Sequence, residues 1–366
     1  MNIAIIHYWF DSYRGGEKVI EALCELFPKA DIYTHIYKPE NLPATITDHK
    51  ITTSFIARLP FSSKYYRHYL PLMPIASRLL NLKKYDLIIS SESGPAKGIR
   101  KGKGALHICY CHSPMRYIWD MEEEYCRGLG IVTRGLWKVV ACYMRWWDRR
   151  SAKNVDYFIA NSKFIAARIR KFYKRKATVI HPPVNVHKFD PNLKREDFYL
   201  CVSQLVAYKK VDLVVESFNE LGLQLVVIGG GSELGKIKSI TNSNIQILGK
   251  VSDALLKEKM ETCKAFVYAG KEDFGIVFTE AQSAGAPIIA FGKGGVLDIV
   301  ENMKTGIFFK KQDVKSLVEA IDIFDKCYDN LLSSAIIALN AEKFDKENFT
   351  TKISGFVEGK LGNREP

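Results

Sequence analysis

The chain has no Cys-x-x-Cys pair. Its eight cysteines are scattered at positions 24, 109, 111, 126, 142, 201, 263 and 327, and Cys109 and Cys111 alternate within an expected strand. That spacing excludes a zinc ribbon or a disulfide framework and reads as reduced, mostly buried thiols of a cytoplasmic protein. No run reaches the roughly 18 apolar residues that span a bilayer. The chain opens directly on an apolar stretch, Met1-Asn-Ile-Ala-Ile-Ile-His7, without a basic leader, so no signal peptide is expected. Acidic residues are in deficit: 40 Asp and Glu against 53 Lys and Arg, a net charge of +13. This excess points to an anionic partner, with nucleic acid, anionic lipid headgroups and phosphorylated substrates as the candidates.

Apolar residues are plentiful. At 366 residues, with 47% hydrophobic and 12% aromatic content, the chain can bury two cores, and two domains are expected. Short β-branched runs alternate with helical patterns. Ile3–His7, Asp31–Ile36, Asp86–Ser91, Ala105–Cys111, Asp156–Ala160 and Thr178–His181 read as strands, and Lys18–Phe27 as a helix after a loop carrying Gly15 and Gly16. Such alternation predicts α/β domains with parallel, doubly wound sheets, in which ligands sit beyond the carboxyl ends of strands. Gly15-Gly16 lies at such an end, where glycine lets backbone approach a ligand closely. His112 follows another strand, before Pro114. Pro182-Pro183 and the polar stretch after it read as an interdomain linker. The rhythm then resumes with strands at Phe198–Ser203, Leu223–Ile228, Asn244–Leu248 and Gly306–Phe309, and helices at Val211–Leu221, Val314–Phe324 and from about Asn348.

Two stretches break this rhythm. Residues 55–84 and Gly135–Arg150 interleave Trp, Tyr, Leu and Met with Lys and Arg and hold almost no acids, with a further basic run at Arg168–Lys176. That is the composition of interfacial helices, although an apolar core stripe beneath a solvated charged face has the same composition. For 55–84 the expectation is membrane contact or acceptor docking.

The densest chemistry lies in Ala265–Phe291, which reads as buried strand, polar loop, helix, glycine stop and buried strand. Glu272 lies in the loop, and Glu280 is placed about two turns into a helix that starts near Phe274 and Gly275. The free N–H groups of that helix start form an anion site. Amides beside two carboxylates suit a phosphate-bearing ligand that also carries hydroxyls, such as a nucleotide-sugar. An ordinary αβ unit with two surface glutamates has the same spacing. Gly230-Gly-Ser-Glu-Leu-Gly-Lys236 mimics a P-loop, but Ile237 stands where that motif needs Ser or Thr to hold magnesium. No Asp-x-Asp triplet, the usual clamp for a metal-bound nucleotide-sugar, is present. A diphosphate would have to be neutralised by Lys, Arg and backbone amides.

Taken together, these motifs resemble the retaining glycosyltransferases of family 4. Glu272 and Glu280 match the E-x7-E signature, in the setting Glu-Asp-Phe-Gly-Ile before and Glu280-Ala-Gln-Ser-Ala-Gly-Ala-Pro287 after. Gly15-Gly16-Glu17, His112, Asn161-Ser162, Pro182-Pro183-Val184-Asn185, Ser203 to Asp212, Gly294-Gly295 and Thr305-Gly306 fit the family's order. The Tyr-Cys-His-Ser-Pro-Met-Arg-Tyr-Ile-Trp variant is most similar to bacterial mannosyltransferases that build O-antigen or related lipid-linked polysaccharide.

The resemblance implies a GT-B fold of two Rossmann-like domains facing across a cleft. Residues 1–183 would form the acceptor domain, joined by a returning helix at 345–366, and residues 184–344 would bind the nucleotide-sugar. It implies a metal-independent, retaining transferase with no cofactor. The donor would be GDP-mannose and the acceptor a lipid-linked saccharide. Its place would be the inner face of the cytoplasmic membrane, touched through the basic, aromatic segments of the amino-terminal domain, with no nucleic-acid partner. Lys209 would neutralise the leaving diphosphate, Glu272 would bind sugar hydroxyls and steady charge at the anomeric carbon, and His112 would face the sugar. Glu280 would accept from the ribose hydroxyls, and Asp273, Phe274, Gly275, Ile276, Gly230, Lys210, Gly15 and Gly16 complete the donor set. One position departs from the pattern. The family's phosphate-binding Arg is here Gln204, which donates a hydrogen bond but carries no charge, so either another cation such as Lys210, Arg14 or Lys293 takes over, or turnover is slow, or the domain binds without catalysing. The alternatives are a GT-B epimerase or hydrolase, or a protein that binds the nucleotide-sugar without catalysis.

Overall fold

The computed structural model describes residues 1–126 and 130–362. It separates into two compact units, Met1–Pro183 with the residues from Phe349 on, and Val184–Asn348.

The first unit is built on seven parallel strands: β1 (Ile3–His7), β2 (Asp31–Thr34), β3 (Ile51–Thr53), β4 (Leu87–Glu92), β5 (Leu106–Cys111), β6 (Tyr157–Ala160) and β7 (Ala177–Val179). Their order in the sheet is β3-β2-β1-β4-β5-β6-β7. Strands β4 and β5 are buried along their whole length, so they do not alternate apolar with exposed polar residues, and their polar members Ser90, Ser91, Glu92 and His107 are buried too. Helices α1 (Gly15–Leu26), α2 (Met73–Leu79), α3 (Ile131–Ser151) and α4 (Lys163–Tyr173) surround the sheet. The N-cap of α4 is Ser162, whose hydroxyl accepts from the Ile165 N–H at 3.1 Å.

The second unit carries six parallel strands: β8 (Tyr199–Val202), β9 (Leu225–Ile228), β10 (Ile245–Gly249), β11 (Ala265–Tyr268), β12 (Ile288–Phe291) and β13 (Gly306–Phe309). Their order is β10-β9-β8-β11-β12-β13, so it too is doubly wound. Each face of this sheet has its own apolar core. One face is filled by α5 (Val211–Leu221) and α7 (Val314–Cys327), the other by α6 (Ile276–Ser283) with the helix Ser334–Glu342. The closing helix α8 (Lys346–Gly362) leaves the second unit and buries Phe349, Ile353 and Val357 in the core of the first, beside Ile20, Leu23 and Tyr110.

Three local expectations are corrected. Gly15 and Gly16 are the first residues of α1 rather than loop residues, because the helix starts four residues before Val19, its first apolar position. Glu280 is the fifth residue of α6, little more than one turn in. The basic run Arg168–Lys176 is not a solvated face throughout. Arg168 is buried and turned inward, donating to Ser113 Oγ at 2.6 Å and to the Pro114 carbonyl at 3.2 Å, and pairing with Asp120. The aromatic segments divide in the same way. Trp137, Val140, Met144 and Trp147 of α3 and Tyr66, Leu70 and Met73 before and in α2 pack into one core, and the other faces of both helices point outward.

Candidate active site

In both units the strand order reverses beside the first strand, between β1 and β4 and between β8 and β11. Doubly wound sheets bind ligands at such reversals, in the crevice beyond the carboxyl ends of the strands. Gln204, Lys209, Lys210 and Glu272 to Gly275 leave the strands at the second of these points, and Gly15 and Gly16 follow β1 at the first.

In the second unit the loop after β8 carries Gln204, Lys209 and Lys210, and the loop after β11 carries Glu272 to Gly275. Lys209 Nζ is ion-paired with Glu272 Oε1, and both side chains are mostly buried. The Tyr268 hydroxyl donates to the same carboxylate oxygen. Burial, reinforced by the Glu272 charge, pushes this phenol well above its ordinary pKa, so it remains a donor at any physiological pH. Two donors therefore fix the carboxylate at the end of β11.

The loop geometry depends on missing side chains. A Cβ on Gly294 would lie 2.4 Å from the Glu272 carbonyl, and one on Gly295 would lie 2.3 Å from the Phe274 Cα. The Gly295 N–H donates to the Glu272 carbonyl at 2.9 Å. Gly294-Gly295 thus lets the turn after β12 lie directly against the Glu272 loop and brings Lys293 beside it. Gly275 has φ of 92°, a left-handed backbone that glycine adopts freely, and turns the chain into α6. The backbone of Phe274, Gly275 and Ile276 thereby forms the helix start.

Glu280 pairs with Lys188 at 3.4 Å. The Gln204 side chain is exposed, and Lys210, left-handed at φ of 57°, is the N-cap of α5. Gly230 follows β9, where a Cβ would meet only the Lys250 side chain, at 3.6 Å. Its neighbours are constrained instead, because Cβ atoms on Gly229 and Gly231 would lie 1.8 and 2.1 Å from the carbonyls of Ser203 and Leu205. The P-loop mimic is thus a packing device that holds the Gln204 loop.

In the first unit the structure brings Gly16 and His112 together. A Cβ on Gly16 would lie 2.9 Å from Tyr8 Oη and 3.8 Å from His112 Nε2. His112 Nε2 shares a 2.7 Å hydrogen bond with Ser91 Oγ, Ser91 Oγ lies 3.0 Å from His7 Nδ1, and His7 Nε2 lies 3.3 Å from Glu17 Oε1. His7 and Ser91 are partners in register on β1 and β4. This chain of polar side chains crosses the carboxyl ends of β1, β4 and β5 and ends in the first turn of α1. Burial raises Glu17, but the hydrogen bond and charge of His7 outweigh it and hold the carboxyl below its ordinary value.

Sequence reading assigned no role to Tyr268, Lys188, Ser91 or His7. For Tyr268 a signal was available, since it is the last residue of a buried strand, four before Glu272. Lys188 gave none, because only the chain reversal through α6 brings it to Glu280.

Residues 13–188 match the family described as Glycosyltransferase Family 4, and residues 185–336 match Glycosyl transferases group 1. The chain belongs to glycosyltransferase family 4. Over 373 residues it is 22% identical to the O-antigen chain mannosyltransferase C of Escherichia coli, covering 94% of this chain and 92% of that protein. It is 25% identical over 205 residues to a GDP-mannose-dependent phosphatidylinositol monomannoside mannosyltransferase of Mycobacterium tuberculosis, covering 47% of this chain and 53% of that one. The chain spans about half the length of the first curated relatives it matches. Among solved structures, the Anabaena HepE protein in complex with UDP superposes with a TM-score of 0.69 at 15% identity, covering 98% of this chain and 100% of that one. That likeness, with the two doubly wound sheets, shows the GT-B fold.

Proposed function

We propose that the chain is a retaining mannosyltransferase that moves mannose from GDP-mannose to a lipid-linked saccharide, without a metal ion, in the assembly of O-antigen or a related polysaccharide. The observation that carries this reading is the Lys209–Glu272–Tyr268 cluster at the strand reversal of the second unit. It sets a cation for the leaving diphosphate beside a fixed carboxylate for the sugar. The mannosyltransferase names among the relatives support the sugar, and the near full-length match to the E. coli enzyme supports a lipid-linked acceptor.

In the reaction, the acceptor hydroxyl oxygen bonds to the anomeric carbon as the bond from that carbon to the diphosphate oxygen breaks. Both events occur on one face of the sugar, so configuration is kept, and the departing GDP takes the hydroxyl proton. Lys209 stabilises the charge that grows on the diphosphate, the effect a positioned cation exerts where a phosphate leaves. Glu272 holds sugar hydroxyls and steadies positive charge at the anomeric carbon. Glu280 accepts from the ribose, and the N–H groups of Phe274, Gly275 and Ile276 meet the sugar and phosphate. The parts given to His112 and Gly15-Gly16 rest on the family resemblance. The protein would work at the cytoplasmic face of the membrane that carries its acceptor.

A panel of GDP-, UDP- and ADP-sugars tests the reading, by thermal stabilisation and by transfer to lipid-linked acceptors. GDP-mannose should stabilise the protein and donate. Preferential stabilisation by a UDP-sugar would move the donor to that nucleotide, and stabilisation by none would refute the donor site.

A further inference from the structure

Helix α3 is apolar on two sides. Its inner side packs Trp137, Val140, Ala141 and Met144 into the core. On its outer side Val132, Leu136, Val139, Tyr143 and Trp146 recur at alternating spacings of four and three residues, and they are 77, 65, 70, 37 and 59% exposed. Such spacing places them in one stripe. A stripe that faces outward along a 21-residue helix is not explained by the core.

At its carboxyl end the stripe runs into a cavity of about 680 Å³ between α2 and α3. The Trp147 ring forms its floor by lying on Gly98, where a Cβ would be 2.1 Å from the ring. Ile75, Leu79 and Trp146 give it apolar walls, and Arg78, Arg100, Arg150 and Lys153 stand around it. All four cations are exposed, and none of them has a carboxylate within ion-pair range among the described residues. Arg150 lies over the Trp146 ring, 5.9 Å from its centroid. Arg100 precedes β5, and Lys153 and Asn154 precede β6, so the cavity lies toward the amino-terminal side of the sheet. Gly16 and His112 lie at the opposite, carboxyl side. An anion held here is therefore not the reacting one.

Four unpaired cations around an apolar groove, continuous with an exposed apolar helix face, complement an amphiphile with an anionic head. We infer that the groove between α2 and α3 seats the phosphate headgroup of an anionic membrane lipid, while the outer stripe of α3 lies at the acyl–headgroup boundary of the same leaflet. This deepens the membrane placement in the proposed function and is independent of the donor site.

The test is flotation of the full chain with phosphatidylcholine vesicles, with and without phosphatidylglycerol. Wild type should prefer the anionic vesicles. The double variant Arg78→Ala/Arg150→Ala should lose about tenfold or more of that binding, and Trp146→Ala should weaken it further. Lys238→Ala/Lys315→Ala removes the same charge from the second unit and should leave binding nearly unchanged. Stabilisation by GDP-mannose, measured without vesicles, should match wild type in every variant, which keeps the donor reading and the groove separable. Equal losses in the two double variants, or equal binding to both vesicle types, would overturn the inference. So would displacement of the protein from anionic vesicles by glycerol phosphate with no dependence on Arg78 and Arg150, since the groove would then play no part.

Discussion

Position 204 carries a carboxamide where the family resemblance implies a guanidinium, and the exposed side chain leaves room for either. The side chain is exposed, and the loop is held through backbone, with the Leu205 N–H donating to the Gly230 carbonyl at 3.1 Å. Gln204→Arg should therefore fold normally and keep or raise the transfer rate, because a charge-assisted bond to phosphate is roughly twice as strong as a neutral one. A large loss in kcat/KM would assign the carboxamide a separate role. Tyr268→Phe removes one of the two donors that fix Glu272. A hydrogen bond to a charged group contributes roughly 1.5–3 kcal/mol, so transfer should fall about tenfold or more while affinity for GDP stays near wild type, as read by calorimetry. Glu272, Glu280 and Lys209 could be found in the sequence because spacing along the chain carries them. The Tyr268 contact and the Ser91–His7–Glu17 chain could not. They form only when strand ends distant in sequence are set side by side by the order of strands in the sheet.

Helix α3 is tied to the sheet by a charge cluster that no periodicity announces. Lys97 Nζ contacts Glu92 Oε1 at 2.7 Å and also Asp148, and Trp119 Nε1 donates to Asp148 Oδ2 at 2.8 Å, with Lys97, Glu92 and Asp148 fully buried. Lys97→Met would strand two carboxylates in the core, and thermal or urea unfolding should show a loss of about 3–5 kcal/mol. Acid should weaken the same unit through two buried histidines. His35, bonded to Ser54 Oγ at 2.8 Å, and His107, bonded to Ser90 Oγ at 2.8 Å, are each pushed by burial down to about 4. Both stay neutral in the folded chain while the unfolded chain takes up protons below about pH 6.5. Stability is therefore intact above that value and declines as pH falls toward 4, by roughly 2 kcal/mol per histidine at pH 5. Thermal midpoints measured across this range should drop on acidification, and His35→Gln should flatten the slope. Element boundaries were legible to within a few residues wherever a β-branched run met a glycine or a cap, as at Gly306–Phe309 and Val211–Leu221. Helix Asp253–Thr262 has a cap at Ser252 but only Met260 and Glu261 are buried along it, so no apolar periodicity marks it in the sequence.

The two-domain plan follows from length and from the resumption of strand–helix alternation after Pro182-Pro183. The first unit, however, is discontinuous in sequence. Phe349, Ile353 and Val357 of α8 are almost wholly buried in its core. Each is worth roughly 1.5–3 kcal/mol of burial, so residues 1–183 expressed alone should be unstable or aggregate, whereas 184–348 should give a cooperatively melting unit. A soluble, sharply melting 1–183 fragment, assessed by circular dichroism and gel filtration, would contradict the packing of α8.

The late position of α8 in the chain also bears on synthesis. Residues 184–348 form a contiguous unit that leaves the ribosome before α8 is complete. The first sheet must wait for the final helix, with the apolar ground under Phe349, Ile353 and Val357 uncovered. The unit translated first is thus the last to finish folding. During that interval it is the part of the nascent chain most open to chaperones and to premature association with other apolar surfaces.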